Sequence, residues 1–370
     1  MPKRLASLLL VCLLTLTACS SEPANEESEK DSTLPSQSAS PDPSETENST
    51  ADLAVGKNAL ELTGPAEADT VPDMEPVTEG SPDLPATVED SAGHTVKVES
   101  ADRILALDLY GTLTDTVIGL GLSDRLVGRS NSDTQKALED LPVVTKDGHD
   151  LNVEAVLNLE PDLILTNTTI GSDALYQQLE SAGVTVVRFD HVPSLDSIPK
   201  SIIQVGETFG MSEEGEELAQ HTNDELAEAK ETVDQLRAET PRGPRGAVLY
   251  VRGTAGVFFI LGSDYGAADV IQFLGLDDVA EDNGITDLKP ANAEALVSLD
   301  PEIILAMSQG VESTGGVDGL LDRPGMSATT AGANQRIITA ADSQLLSYGP
   351  RTPQNLIALA EAIYTTGAEE

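Results

Sequence analysis

The chain carries one structural unit twice. NVEAVLNLEPDLIL (152–165) and NAEALVSLDPEIIL (292–305) agree at seven of 14 positions. Asn152, Glu154, Ala155, Leu159, Pro161, Ile164 and Leu165 answer to Asn292, Glu294, Ala295, Leu299, Pro301, Ile304 and Leu305. A shorter element precedes each copy, as GLSD (121–124) and GLDD (275–278). Each copy reads as a short helix running through a proline into a buried strand. A duplicated helix–strand unit requires two lobes of similar build.

The segments around the repeat fit that requirement. RILALD (103–108), VTVVRFD (184–190), AVLYVR (247–252), VFFIL (257–261) and IILAM (303–307) have the apolar, β-branched character of strands. TDTVIGLGL (114–122), DALYQQLESAG (173–183), GAADVIQFLG (266–275) and the stretch from Thr352 read as helices, three of them stopped at a glycine. Strands alternating with helices imply mostly parallel α/β sheets. Between the halves, SIPKSIIQVGETFG (197–210) and SEEGEELAQHTNDELAEAKETVDQLRAE (212–239) are helical, the second too polar to be buried. The expected fold is α/β: two similar Rossmann-like lobes joined by a long linking helix, with a ligand cleft between them. The expected boundaries are a signal peptide at 1–18, a lipidated cysteine and disordered acidic tether at 19–88, an N-terminal lobe at 89–194, linking helices at 195–241 and a C-terminal lobe at 242–370.

The N-terminal expectations rest on residue order. MPKR supplies positive charge, LASLLLVCLLTL a short apolar run, and LTAC ends it at Cys19. This resembles a bacterial lipobox, which implies cleavage before Cys19, a thioether-linked diacylglycerol on it, and residence on the outer face of the membrane in a Gram-positive-type envelope. Two acyl chains suffice for stable anchoring. Residues 20–88 hold 16 acidic residues, two lysines, nine prolines and no aromatic residue, a composition that favours disorder.

Composition also excludes. With 63 acidic against 21 basic residues, the net charge of −42 argues against nucleic-acid binding. The only cysteines are Cys12 and Cys19, so the body has no thiolate nucleophile and no cysteine metal site. No HExxH, GxSxG or clustered ligand motif appears, so no enzymatic activity is expected.

One asymmetry between the copies points to a site. Gly121 to Asn152 spans 31 residues and Gly275 to Asn292 spans 17, so the first lobe carries 14 extra residues before its repeat. His149, in KDGHDLNVEA, lies at the end of that insertion. In the second lobe, Tyr250 and Arg252 of AVLYVRG are two residues apart on a strand and share a face with Val248. Each of these residues alone has an ordinary explanation: a solvated loop histidine, a half-buried strand tyrosine, a surface arginine.

Together with the signature N-x-E-A-x-x-x-L-x-P-D-x-I-L at 152–165, they resemble the helix-linked class of ABC-importer substrate-binding proteins. Within it, the chain is most similar to the haem-binding lipoproteins of actinobacterial haem-uptake systems. The resemblance covers roughly 89–370. It implies that His149 and Tyr250, one from each lobe, are the axial ligands of ferric haem b, carried as transported ligand. It further implies that Glu154 and Glu294 dock onto an ABC permease and its ATPase, and that upstream surface proteins donate the haem. Arg252 favours the tyrosinate, since a neighbouring cation stabilises an anionic phenol oxygen, and that hard donor suits Fe(III). Glu154 and Glu294 also suit the first turn of a helix. Weaker cleft candidates are Tyr348 and Arg351, placed to reach a propionate, and Met307, a porphyrin contact or a core residue. His94, His191 and His221 read as structural or surface residues. A monomer is expected. The alternative cargo is a ferric siderophore or cobalamin.

Overall fold

Unbroken apolar runs dictate the N-terminal lobe. Every residue of β1 (Ile104–Leu107) is buried, as strands covered on both faces require. It is followed by α1 (Thr112–Gly119) and, after the insertion, by α2 (Val153–Asn158). Two further strands, β2 (Leu163–Thr166) and β3 (Thr185–Arg188), complete a parallel sheet in the order β1–β2–β3. The structure is a computed structural model and describes residues 55–146, 150–253 and 256–369. Two helices, α3 (Ile198–Thr208) and α4 (Ser212–Leu236), lead to the C-terminal lobe. There β4 (Arg245–Arg252) forms an antiparallel hairpin with β5 (Val257–Ile260). Then α5 (Ala293–Leu299) leads to β6 (Ile303–Met307), parallel to β4, and β7 (Ile337–Ala340) lies beyond it. The last helix is α6 (Thr352–Tyr364).

The repeat is a set of matched local devices. Asn152 and Asn292 are the N-caps of α2 and α5, each side chain accepting the N–H of the residue three on, Ala155 or Ala295. Such a cap satisfies a donor that a helix start otherwise leaves unpaired. Beyond each helix an acidic residue takes the left-handed conformation, Glu160 at φ 46° and Asp300 at φ 41°. The next acid ties the repeat to the strand before it: Asp162 accepts the Arg103 N–H at 3.1 Å and Glu302 the Arg245 N–H at 2.9 Å. Asn, the first acid, Pro and the second acid are therefore explained by caps, turn and tie. Glu154 and Glu294 are not: both are exposed, at equivalent first-turn positions.

The folded body begins earlier than expected. Residues from Val55 onward are ordered against both lobes, so the boundary at 88 is wrong. Ala59, Leu62, Ala66 and Ala68 are buried, and the short strand Ala66–Glu67 extends the C-terminal sheet parallel to β7. The segment then crosses to the N-terminal lobe. There the Asp73 carboxylate accepts the Ala137 N–H at 2.9 Å, and Val77 N–H donates to Gly119 O at 2.9 Å. Its small apolar content is enough because a sheet edge already formed by distant residues supplies the partners.

The linking region is two packed helices, with α4 burying a stripe of Leu218, Ala219, Thr222, Ala229, Val233 and Leu236. The helices meet backbone to backbone: a Cβ at Gly206 would lie 2.8 Å from Gly215 Cα and 2.8 Å from Met211 O. Gly206→Ala is therefore expected to destabilise the fold by about 1–3 kcal/mol, the range for overpacking, read as a lower urea midpoint. No helix among the described residues is long and apolar enough to cross a membrane.

Candidate functional site

Strand alternation sets the β4 group. On β4, Leu249 and Val251 point into one core and Val248 into the other, which leaves Tyr250 and Arg252 half-buried on the Val248 face. Tyr250 pairs across the hairpin with Phe259. The Arg252 guanidinium carbon sits 4.8 Å from the Tyr250 ring centroid, a cation–π arrangement. Arg252 also donates from Nη1 to Val251 O at 2.8 Å, and from Nη2 to the Asp342 carboxylate. Asp342 opens the short helix that follows β7.

The N-terminal wall comes from the loops beyond β1, β2 and β3, where open α/β sheets bind their ligands. Tyr110 follows β1 and His191 follows β3; their rings stack with centroids 5.9 Å apart and planes 18° apart. With Asn167, Leu346 and Tyr348 they line a small cavity of about 30 Å³. Burial pushes the Tyr110 phenol up to about 12; Tyr250, Asp108 and Asp342 add to this and Arg252 opposes it. That coupling places Tyr110 within electrostatic reach of the β4 group. His191 is exposed at the rim, yet the surrounding protein disfavours its charged form and lowers its pKa. A larger groove of about 880 Å³ lies elsewhere, between the hairpin starting at Ala86–Glu89 and α3. It holds Glu89, Asp90, Asp190 and Glu207 but neither Tyr110 nor His191. The strand-end cavity is the better candidate because both lobes contribute to it.

The other residues expected at the site fall as follows. His149 lies outside the described residues, between Lys146 and Asp150, which pair in a two-residue ladder just before α2. Of the weak candidates, Met307 and Arg351 are corrected, while Tyr348 does line the cavity. Met307 is 4% exposed and packs in the core rather than facing the cleft. Arg351 donates from Nε to the buried Asp115 at 3.1 Å, so its cation is already paired. Tyr348 lines the cavity with its ring, but its hydroxyl donates to Gly266 O at 2.5 Å. His94 and His221 lie beside Asp90 and Glu225, as surface histidines do. The reading of His191 as a plain turn residue is also corrected: it and Tyr110 belong to the cleft. Their position just past strand ends was the signal that could have found them.

Behind the N-terminal wall sit three buried carboxylates, Asp108, Asp115 and Asp133. The Asp133 Oδ2 accepts from the Ser130 N–H and hydroxyl, both at 2.8 Å. Burial first, then the charge of Asp108, pushes its pKa from 3.8 up to about 7. Between those values the folded state keeps a proton that the unfolded chain has lost. Stability from this group is therefore highest near pH 4 and falls as pH rises to about 7. Asp133→Asn should flatten that fall: its melting temperature, measured from about pH 5 to pH 7.5, should drop less than that of the unaltered protein.

Comparison with known proteins places this architecture. The model of the periplasmic binding protein family matches residues 108–343. A crystal structure of the haem-binding protein HmuT is 44% identical, with a TM-score of 0.79, covering 84% of this chain and 100% of that one. Solved variants of HmuT replace single histidine, tyrosine or arginine residues by alanine. The uncharacterized ABC transporter substrate-binding lipoprotein YvrC of Bacillus subtilis is 25% identical over 285 residues, 76% of this chain and 86% of its own. A cobalamin-binding protein of Halobacterium salinarum is 25% identical over 292 residues, 76% of this chain and 75% of its own. Two α/β lobes, a helical link between them and a family match spanning both lobes make the conclusion direct: the chain belongs to the periplasmic binding protein family.

Proposed function

We propose that the protein binds ferric haem between its lobes and delivers it to an ABC importer, performing no catalysis itself. The observation that carries this is the β4 group: a half-buried phenol under a guanidinium, within electrostatic reach of Tyr110 in the strand-end cavity. In this reading Tyr250 supplies a phenolate to one face of the iron and His149 an imidazole to the other. The ferric charge itself is what would draw the phenol oxygen into ligation. The likeness to HmuT supports haem as cargo, and the Tyr-x-Arg spacing on the first strand of the second lobe is the feature that suits it.

The cavity of about 30 Å³ is far below the several hundred that a drug-sized ligand occupies. A porphyrin therefore enters by parting the Tyr110–His191 wall from the C-terminal lobe. Exposed Glu154 and Glu294, one per lobe at equivalent positions, are the proposed permease contacts. Cys19 is the proposed lipid anchor, the acidic stretch before Val55 a spacer, and surface haem carriers the donors. Titrating the purified protein with hemin should give a 1:1 complex with a shifted Soret band; cobalamin should give none. A cobalamin complex without a hemin complex would favour the cargo named for the Halobacterium salinarum relative instead.

A further inference from the structure

Arg252 is held on more sides than a strand arginine ordinarily is. Its Nη1 donates to the carbonyl of Val251 at 2.8 Å, and its Nη2 to the carboxylate of Asp342, 90 residues away in the chain. On another side it runs against bare backbone: a Cβ at Gly310 would lie 2.6 Å from Nη1. The Tyr250 ring closes the remaining side at 4.8 Å. Asp342 and Arg252 have side-chain exposures of 29% and 28%, so their pairing is better shielded than that of a surface ion pair. The other Asp342 oxygen, Oδ1, is buried and accepts no hydrogen bond among the described residues. Among the described residues, its carboxylate is thus oriented by Arg252.

We propose that Asp342 is a positioning residue for the cleft: with the bare backbone of Gly310, its carboxylate fixes the Arg252 guanidinium over the Tyr250 ring. A long, flexible side chain on an open strand face would otherwise spread over many rotamers. Fixed in one of them, the guanidinium stays over the Tyr250 ring. A carboxylate is also the acceptor best matched to the planar fork of a guanidinium. Asp342 does not touch cargo; it acts through Arg252. The consequence for haem rests on the reading of Tyr250 as iron ligand, whereas the placement of Arg252 does not.

The experiment has one arm for each part. In the haem-free protein, nuclear magnetic resonance of the Arg252 side-chain NH reports the Tyr250 ring current. That signal should move toward the free-arginine position in Asp342→Ala and stay in Asp342→Asn, whose amide oxygen can still accept from Nη2. In the second arm, hemin affinity should fall about tenfold or more in Asp342→Ala, the scale of lost outer-shell partners. The double variant with Arg252→Ala should bind no worse than Arg252→Ala alone, since the two act as one unit. An unmoved Arg252 signal in Asp342→Ala, or losses that simply add, would overturn the proposal. Should Tyr250→Ala bind hemin normally, the ligand reading fails instead, and the haem-free signal decides the placement by itself.

Discussion

Tyr250→Ala is expected to weaken ferric haem binding by at least about a hundredfold. Outer-shell partners of a metal ligand are worth roughly ten- to a hundredfold each, and loss of the ligand itself should exceed that. Tyr250→Phe should fare almost as badly, because it keeps the ring under Arg252 and removes only the oxygen. A purely hydrophobic role would give the reverse pattern, with Phe close to the unaltered protein and Ala impaired. Competition with a haem-binding protein of known affinity, read in the Soret region, checks the prediction. The fold should survive both changes, since Tyr250 is only half-buried and its cross-strand neighbour Phe259 is likewise partly exposed.

The second large effect is on stability. Arg351→Ala should destabilise the protein by about 3 kcal/mol or more, the result of removing one partner from a buried ion pair. Asp115 belongs to α1 of one lobe and Arg351 precedes α6 of the other, with side-chain exposures of 1% and 11%. The pair is tied further: Gln135 donates to Asp115 at 2.6 Å and accepts the Met74 N–H at 2.5 Å. Burial raises the Asp115 pKa from 3.8 to about 6, and Arg351 is the main influence opposing that rise. Without Arg351 the carboxyl rises further and must hold a proton at neutral pH. The penalty should therefore be larger at about pH 7.5 than at about pH 5. Asp115→Asn in the same chain should recover part of it. Urea unfolding of the single and double variants at both pH values measures this. Full stability in Arg351→Ala would mean that the lobes are braced by other contacts.

The duplication was legible because it is local. Asn152 and Asn292 cap their own helices, and the proline and acids that follow act within a few residues or on the adjacent strand. Tyr250 and Arg252 were legible for the same reason: two-residue spacing on a strand fixes a shared face. What sequence did not reveal depends on distant partners. Residues 55–88 look too acidic to fold, yet they gain a place beside β7, a strand more than two hundred residues later. Arg351 and Tyr348 look like free cleft residues until Asp115 and Gly266 appear beside them. Asp342 carries no local mark at all, and its pairing is visible only next to Arg252.

In the proposed complex, iron is held between the lobes by a phenolate and an imidazole. Resonance Raman spectroscopy of the ferric haem complex, made with ring-deuterated tyrosine, tests it most directly. Iron–phenolate modes should appear that shift on deuteration, vanish in Tyr250→Phe, and belong to a six-coordinate haem that loses its imidazole in His149→Ala. A ferric spectrum with no tyrosine-sensitive modes, unchanged by either substitution, would contradict it.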